Sequence, residues 1–327
     1  ADGTIVAIAA LYNDGNGSNS GQVRVYGYNG SIWNQLGQDI DGEAASDGSG
    51  RSVSISADGT IVAIGAFLNN NGNGADSGQV RVYEYNGATW TKLGQDIDGE
   101  AASDYSGRSV SLSSDGTIVA IGADSNDGNG SNSGHVRVYE YNGTNTWTKL
   151  GQDINGEAVG DNSGRSVSIS SDGTIVAIGA TGNDGNGSNS GHVRVYKYND
   201  SNWNQLGQDI DGEAVGDNSG VFVSISADGT IVAIGATGND GNGNGSGQVR
   251  VYEYNGTNTW TQLGQDIDGE AVGDNSGKSV SLSADGTTVA IGAVYNDANG
   301  TNSGQVRVYE LYIPPPVPIC FPAGTPV

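Results

Sequence analysis

Short apolar segments alternate with polar turn residues along the chain and return with a regular period. In one unit these segments are Ser-Val-Ser-Ile-Ser (52 to 56), Thr-Ile-Val-Ala-Ile-Gly-Ala (60 to 66), Gln-Val-Arg-Val-Tyr-Glu-Tyr (79 to 85) and Thr-Trp-Thr-Lys-Leu-Gly (89 to 94). They are rich in β-branched and aromatic residues, and clusters of Gly, Asn and Asp separate them, which is typical of β-strands. The pattern predicts four strands per unit and no helix.

An Asp-Gly-Thr turn marks each unit. Its aspartates lie 56 or 57 residues apart, at Asp2, Asp58, Asp115, Asp172, Asp228 and Asp285. A period of this kind indicates stacked copies of one supersecondary unit. Four antiparallel strands repeated six times predict an all-β fold, the β-propeller, because radial repetition leaves only short protected edges. A β-solenoid is the alternative, although its coils are usually much shorter.

The first unit lacks its first strand and the sixth lacks its fourth. We therefore expect residues 1–312 to form a propeller within a longer parent chain. An upstream piece carrying both missing strands would close six blades, whereas seven blades, the alternative, would need a further copy of the repeat. Residues 313–319 contain "IPPPVP" and are predicted to be a Pro-rich linker, since consecutive prolines cannot continue a sheet.

Residues 1 to about 312 resemble the FG-GAP repeat of integrin α-subunit propellers. The matching features are Gly-x-Ser-Val (50 to 53), the Asp-Gly turn, Ile-Gly-Ala (64 to 66) and Gly-Gln-Val-Arg-Val-Tyr (78 to 83). Many members of that family bind calcium in an extended Asp-x-Asp-x-Asp-Gly loop between the first and second strands. Here that loop is only Ser-Ala-Asp-Gly-Thr (56 to 60), which is too short to wrap an ion.

The charge balance narrows the class of partner. The chain has 37 acidic and 13 basic residues, for a net charge of -24. We therefore expect neither nucleic acid nor an anionic membrane as a partner. No apolar run reaches the roughly 18 residues that span a bilayer, so no membrane insertion is expected. The single cysteine, Cys320, excludes a disulfide framework and a cysteine-based zinc site.

Two classes of acidic loop are predicted to share one rim, because successive strands run in opposite directions. One joins the second strand to the third, as in "NDGNGSNSG" (13 to 21), and the other joins the fourth strand to the next unit, as in "DIDGEAASDGSG" (39 to 50). Carboxylates alternate in the second class, so an extended segment would direct them to one side. There a hard cation would find oxygen ligands at about 2.3 to 2.6 Å.

Calcium is accordingly the candidate cofactor. Its candidate ligands are Asp14, Asn16, Asp39, Asp41, Glu43, Asp127, Asn129, Asp184, Asn186, Asp240 and Asp297. One carboxylate in each loop of the first class is not enough for a site, so the neighbouring acidic loop would have to supply another. The alternatives are turn chemistry for the Asn and Gly residues, and solvated charges or ion pairs for the carboxylates. The candidate ion-pair partners are Arg51, Arg108, Arg165 and Lys278.

Five units have one tryptophan at the start of the fourth strand: Trp33, Trp90, Trp147, Trp203 and Trp260. These rings are predicted either to stack on sugars, in a lectin-like alternative, or to pack between blades. His135 and His192 occupy a slot that holds Gln in the other units, so no catalytic role is expected for them. The third-strand arginines, such as Arg81, are predicted to pair with carboxylates between blades.

Nine sequons make candidate glycosylation sites if the chain is secreted by a eukaryotic host, with chance in an Asn- and Ser-rich composition as the alternative. They lie at Asn16, Asn29, Asn129, Asn142, Asn186, Asn199, Asn244, Asn255 and Asn299.

The last eight residues, Cys-Phe-Pro-Ala-Gly-Thr-Pro-Val (320–327), resemble the first strand of a hedgehog/intein-type (Hint) autoprocessing domain. In that family the leading cysteine attacks the preceding peptide carbonyl, here that of Ile319, to form a thioester. The resemblance makes Cys320 a candidate nucleophile only if such a domain follows.

These features together predict a noncatalytic, extracellular or surface-displayed binding or adhesion propeller, and not an enzyme. Its predicted partner is a protein or glycan on a surface, bound through the acidic face. The alternatives are a glycan-binding propeller that uses the tryptophans, and a structural module of a filament or particle surface.

Overall fold

The structure, a computed structural model, describes residues 3–311, which form a six-bladed β-propeller without helices. Each blade is one antiparallel sheet. The strands of the first three blades are β1 (Ile5–Ala10), β2 (Gln22–Tyr28), β3 (Trp33–Gln35), β4 (Ile40–Asp41); β5 (Ser49–Ile55), β6 (Ile61–Ala66), β7 (Gln79–Tyr85), β8 (Trp90–Lys92), β9 (Ile97–Asp98); β10 (Ser109–Leu112), β11 (Ile118–Ala123), β12 (His135–Tyr141), β13 (Trp147–Lys149) and β14 (Ile154–Asn155).

The last three blades repeat this order. Their strands are β15 (Ser163–Ile169), β16 (Ile175–Ala180), β17 (His192–Tyr198), β18 (Trp203–Gln205), β19 (Ile210–Asp211); β20 (Ser219–Ile225), β21 (Ile231–Ala236), β22 (Gln248–Tyr254), β23 (Trp260–Gln262), β24 (Ile267–Asp268); β25 (Ser276–Leu282), β26 (Thr288–Ala293) and β27 (Gln305–Glu310).

The second and third strands of each blade supply the core, because both faces of a propeller sheet are covered. Val23 and Val25 on β2 pack with Val62 and Ile64 on β6 of the next blade, and all four side chains are buried. The same interdigitation recurs at the later junctions. Successive side chains in these strands point to opposite faces of the sheet. The apolar side chains on one face therefore pack against the preceding blade, and those on the other face pack against the following blade.

A two-residue strand adds to the four predicted in a complete unit. It lies in the acidic loop after the fourth strand and pairs with the start of the third, as β9 does with β7 through Gln79↔Asp98 and Val80↔Ile97. Ile97 is buried by this pairing. The pairing anchors the acidic loop against the blade, and two residues are too few to produce a pattern of alternation.

Adjacent blades are joined through the tryptophans. Trp90 Nε1 donates to the carbonyl of Leu36 in the preceding blade at 2.7 Å. The amide of Gln38 makes two bonds to the Trp90 backbone, donating to its carbonyl at 2.8 Å and accepting from its N–H at 3.0 Å. The same Gln and Leu contacts recur at Trp147, Trp203 and Trp260.

Gly78 forms a second link between blades. Its backbone makes a parallel bridge with Ser106 of the next blade, and it adopts φ +79°. A side chain there would collide with the Ser106 carbonyl, so only glycine allows this close approach. Equivalent bridges occur at four other junctions.

The first blade begins with the second strand of the repeat and, within residues 3–311, the last blade ends with the third, as the sequence predicts. On β27, Val306 and Val308 are 71% and 65% exposed, whereas their counterparts on β22, Val249 and Val251, are 0% and 1% exposed. The predicted linker (313–319) and Cys320 lie outside the described residues. In the described range no helix is long and apolar enough to cross a membrane.

Candidate functional site

The first strand of the repeat, present in every blade but the first, lines a central channel, and in four blades its start is distorted in a way that directs a side chain into that channel. In β5, Ser49 pairs with Ala66 and Ser52 with Gly65, so Gly50 and Arg51 form a two-residue bulge. Gly50 adopts φ +88°, which a side chain would oppose. Bulges of this kind re-aim side chains near functional sites. The bulge recurs in β15, β20 and β25.

The residue that follows Gly50, or its equivalent in another blade, is basic in four of the five blades that have a first strand. Arg51, Arg108, Arg165 and Lys278 line a channel cavity of about 360 Å³, and Val221 takes the position in the remaining blade. Arg108, Arg165 and Val221 also line a second cavity of about 460 Å³, at the end of the channel where the acidic loops emerge. We call this end the channel mouth. Its centre is cationic, although the chain around it is strongly acidic.

Asp124 is the one carboxylate among the residues that line these two cavities in the described structure. It follows β11 directly and is only 5% exposed. Its Oδ2 lies 3.1 Å from Arg165 Nη1 and 3.5 Å from Arg108 Nε, while its Oδ1 has no hydrogen-bond partner. Burial raises the pKa of Asp124 despite the opposing effect of Arg108 and Arg51. One carboxylate thus faces three cationic side chains, those of Arg51, Arg108 and Arg165.

The arginines are crowded on one side of the mouth. The guanidinium carbons of Arg51 and Arg108 lie 5.8 Å and 5.3 Å from the centre of the Phe67 ring. Burial, together with repulsion from Arg108, lowers the pKa of Arg51. Arg108 Nε is buried without a hydrogen bond. Unpaired donors beside concentrated positive charge provide the chemistry that binds an anion.

Neutral polar side chains complete the lining of the mouth. They are Tyr105, Ser125, Asn162, Thr181, Asn218 and Thr237. Hydroxyl and amide groups both donate and accept hydrogen bonds, so they suit a ligand rich in hydroxyls. The mouth therefore combines a cationic centre with a neutral polar wall.

Sequence reasoning considered the basic residues only as partners for the acidic loops, and it did not single out Asp124. Two signals were available. The triplets Ser-Gly-Arg and Ser-Gly-Lys repeat at the start of first strands, and the position after each second strand varies among Leu11, Phe67, Asp124, Thr181, Thr237 and Val294. Variation at one slot of an otherwise regular repeat indicates a site that differs from blade to blade.

The two acidic loop classes lie side by side. Asn16 Nδ2 donates to the Gly42 carbonyl at 3.0 Å, and the Ser46 N–H donates to the Ser18 carbonyl at 2.8 Å. Within "NDGNGSNSG", Asp14 Oδ1 accepts the Asn19 N–H at 2.8 Å. The same backbone bond is made by Asp127, Asp184, Asp240 and Asp297, and the same side-chain bond as Asn16 by Asn129 and Asn186. These side chains therefore stabilise the loops through hydrogen bonds to the backbone.

The alternating carboxylates also have partners within the protein. Asp39 pairs with Arg24 at 3.0 Å, and Asp41 Oδ1 accepts from Gln22 at 2.8 Å. Glu43 lies 3.5 Å from Arg81 of the next blade, and Arg81 Nη2 also donates to the Asp41 carbonyl. The third-strand arginines thus join blades, as the sequence analysis expects. Calcium at these ligands stays a prediction.

Four of the five tryptophans are in packing positions. Trp90, Trp147, Trp203 and Trp260 are each 3% exposed and packed against a tyrosine of their own blade, whereas Trp33 is 47% exposed. A sugar ring has no access to the four buried indoles, so the lectin-like alternative keeps only Trp33 as an available ring. The predicted glycosylation sites stay predictions.

Two clusters of side chains in the described residues have donors suited to a metal ion. They consist of Glu100, His135 and Asp153, and of Glu157, His192 and Asp209. In each cluster one potential ligand atom from every residue lies within 4.8 Å of the others. Both clusters lie between blades, where a third strand meets acidic loops.

Three segments of the chain match the FG-GAP repeat family, at residues 97–139, 155–196 and 267–309. The chain therefore contains FG-GAP repeats, and the resemblance identified from the sequence is confirmed. The predicted Hint-type start lies outside the described residues. No curated protein matches the chain.

Solved structures of low sequence identity share the propeller fold. A periplasmic gluconolactonase from Pseudomonas aeruginosa has 18% identity and a TM-score of 0.58, with 94% of this chain and 82% of that one covered. A hydrazine synthase from Kuenenia stuttgartiensis has 14% identity and a TM-score of 0.59, with coverages of 94% and 81%. A candidate 6-phosphogluconolactonase from Bacteroides uniformis has 17% identity and a TM-score of 0.58, with coverages of 91% and 81%.

At these identities the likeness establishes the fold alone. It nevertheless corrects one prediction, that the chain is not an enzyme. Propellers of this fold include a gluconolactonase and a candidate 6-phosphogluconolactonase, so the architecture does not support a noncatalytic assignment.

Proposed function

We propose that this propeller binds a small anionic, hydroxyl-rich ligand, such as a sugar acid or a sugar phosphate, at the channel mouth. The observation that supports this most strongly is the excess of basic over acidic groups: Arg108 and Arg165 line the mouth with Asp124 as its one carboxylate, and Arg51 and Lys278 line the adjoining channel cavity. Like charges held together out of water are unfavourable, and a bound carboxylate or phosphate would relieve that repulsion. The polar wall would then bind the hydroxyls of the ligand.

Calorimetry with gluconate and 6-phosphogluconate, with glucose as the neutral comparison, tests this proposal. We expect both anions to bind and glucose not to bind measurably. Arg108→Gln and Arg165→Gln should each weaken binding at least about tenfold, since a charge-assisted hydrogen bond is worth about 1.5 to 3 kcal/mol. Arg24→Gln is the matched control, because it removes an exposed cation paired with Asp39 outside the mouth. Equal weakening in the control, or no binding of either anion, would contradict the proposal.

A second candidate function is hydrolysis of a sugar lactone at the same mouth. Asp124 favours it, because a buried carboxylate with a raised pKa and an unpartnered oxygen suits a general base. Water would attack the lactone carbonyl while Asp124 accepts its proton, and the neighbouring arginines would stabilise the oxyanion. The ring C–O bond would then break, and Asp124 would return the proton to the leaving alkoxide. A gluconolactonase and a candidate 6-phosphogluconolactonase have the same fold, and both names refer to sugar lactones.

Release of acid from glucono-δ-lactone, followed in a pH-stat, separates the two candidates. If the protein is a hydrolase, Asp124→Asn should lower the enzymatic rate by at least about a hundredfold. The same variant should still bind gluconate, because the cations are unchanged. A wild-type rate equal to the uncatalysed rate would reject hydrolysis of this substrate and leave anion binding to be judged by calorimetry.

We also propose calcium binding on the acidic loops and display outside the cell. The loops bring carboxylates of two classes onto one rim, and FG-GAP repeats are typical of extracellular and surface proteins. Calcium bound to the folded state should raise the melting temperature by several degrees at concentrations well above its Kd. NaCl at matched ionic strength is the control for charge screening, and an identical shift with both salts would reject a specific calcium site.

A further inference from the structure

Two blades have histidine where four others have glutamine, at the start of the third strand. In the first blade Gln22 Nε2 donates to Asp39 at 3.0 Å and to Asp41 at 2.8 Å. Gln79 and Gln248 likewise donate to the carboxylates opposite them. His135 and His192 face the same acidic loop, but an imidazole ring has no amide NH₂ group to donate to these carboxylates. Replacing Gln by His therefore removes the amide hydrogen bonds and leaves ring nitrogens in their place.

His192 is buried beside carboxylates without bonding to them. The residue is 1% exposed, and its Nδ1 lies 3.9 Å from Asp209 Oδ2 and 4.0 Å from Asp211 Oδ1. Both distances exceed the range of a hydrogen bond. Glu157 adds a third carboxylate, with one oxygen within 4.8 Å of the ligand atoms of His192 and Asp209. Ligands at about 2.0 to 2.2 Å from one ion lie up to about 4 Å apart, so a small contraction would close this set around an ion.

We propose that His192, Asp209, Asp211 and Glu157 form a binding site for one divalent transition-metal ion of the zinc class. One imidazole nitrogen with carboxylate oxygens is a donor set that zinc accepts, whereas calcium takes oxygen ligands. The side chains of Glu157 and Asp211 are more than 40% exposed, which leaves a path from solvent.

Arg194 is the cation nearest to this site. Its Nη1 lies 3.2 Å from Glu157 Oε1. This contact positions Glu157 and leaves its second oxygen for an ion. Even with Arg194 counted, the three carboxylates give the site a net negative charge.

The equivalent cluster around His135 is a weaker version of the same site. Lys149 Nζ lies 2.8 Å from Asp153, whereas the neutral Gln205 holds the corresponding Asp209 at 2.6 Å. Asn155 also stands where the other cluster has Asp211. The His135 cluster is therefore more positive by two charges. We expect it to bind the same ion less tightly by at least an order of magnitude.

Zinc calorimetry on the 327-residue chain at pH 7, with cobalt absorption as a spectroscopic readout, tests the site. His192→Gln is the matched variant, because glutamine occupies this slot in four blades. It should abolish the tighter zinc event and the cobalt d–d bands of that site. His135→Gln should leave the tighter event unchanged. Melting curves in EDTA should coincide for all three proteins, which would establish that the variants are folded.

Asp211→Asn provides a second variant, since it gives the His192 cluster the Asn found in the weaker one. It should lower zinc affinity about tenfold or more while histidine ligation persists. Unchanged zinc binding in His192→Gln would overturn the proposal. So would loss of the tighter event in His135→Gln alone, or calcium competing with zinc at equal concentration.

Discussion

At the scale of the residue, the aspartate of the Asp-Gly-Thr turn has a structural role that explains its presence in every unit. Asp58 Oδ1 accepts bonds from Ser56 Oγ, from the Thr60 N–H and from Thr60 Oγ1, at 2.7 to 3.0 Å. Three donors on one oxygen favour the ionised carboxylate. Burial acts to raise the pKa of Asp58, but these bonds outweigh it, and the pKa is lowered. The turn therefore depends on a charged aspartate rather than on any turn-forming residue.

Asp285 gives the clearest test of this network. Hydrogen bonds from Ser283, and then from Thr287, lower its pKa to about 2. A lowered carboxyl pKa stabilises the folded state above the unfolded value near about 4, and this contribution is lost as pH falls through the folded value. We expect Ser283→Ala to raise the pKa of Asp285 towards 4, measured from the side-chain carboxyl carbon by NMR. An unchanged pKa would mean that Ser283 does not contribute.

At the scale of the element, the tryptophan-bearing fourth strand fixes each of the second to fifth blades to the one before it. Trp147 is 3% exposed, and its Nε1 donates to the Leu93 carbonyl at 2.8 Å. Trp33 packs against Tyr28 of its own blade, as Trp147 packs against Tyr141, but Trp33 is 47% exposed. Trp33 therefore represents packing within a blade, whereas Trp147 packs both within its blade and against the preceding blade.

Replacing each of these tryptophans by alanine measures that difference. Trp147→Ala should destabilise the protein by about 3 to 5 kcal/mol, as expected for a buried aromatic side chain and its lost hydrogen bond. Trp33→Ala should cost about 1 kcal/mol or less, because the ring is already half exposed. The melting temperatures of both variants test the ranking. Comparable losses would show that the junction contributes little beyond the blade itself.

The strands could be predicted from the sequence because their alternation and their turn residues act locally. The two-residue strand Ile97–Asp98 could not, since two residues are too few to show alternation. The channel mouth was missed for a different reason. Arg108, Asp124 and Arg165 come from two neighbouring blades, and both arginines follow a glycine of positive φ, Gly107 or Gly164, which turns the chain so that they meet at Asp124. Spacing in the sequence contains no information about that direction.

At the scale of the whole molecule, the net charge of the protein is negative, whereas the charge at the channel mouth is positive. The chain carries a net charge of -24, yet four basic residues and one carboxylate line the channel and its mouth. An approaching anion first meets the field of the whole protein, which repels it. It meets the arginines only after it has passed the acidic loops. Attraction at the mouth therefore affects the dissociation rate of the anion more than its association rate.

Salt should separate these two effects. Raising NaCl from about 20 mM to about 200 mM shortens the Debye length from roughly 20 Å to roughly 7 Å. Screening of the long-range repulsion should increase the association rate of 6-phosphogluconate several-fold. Screening at the partly exposed mouth should increase its dissociation rate as well, so the Kd changes less than either rate. Stopped-flow mixing measures both rates, and an association rate that falls with salt would show that the positive field of the mouth extends beyond the acidic rim.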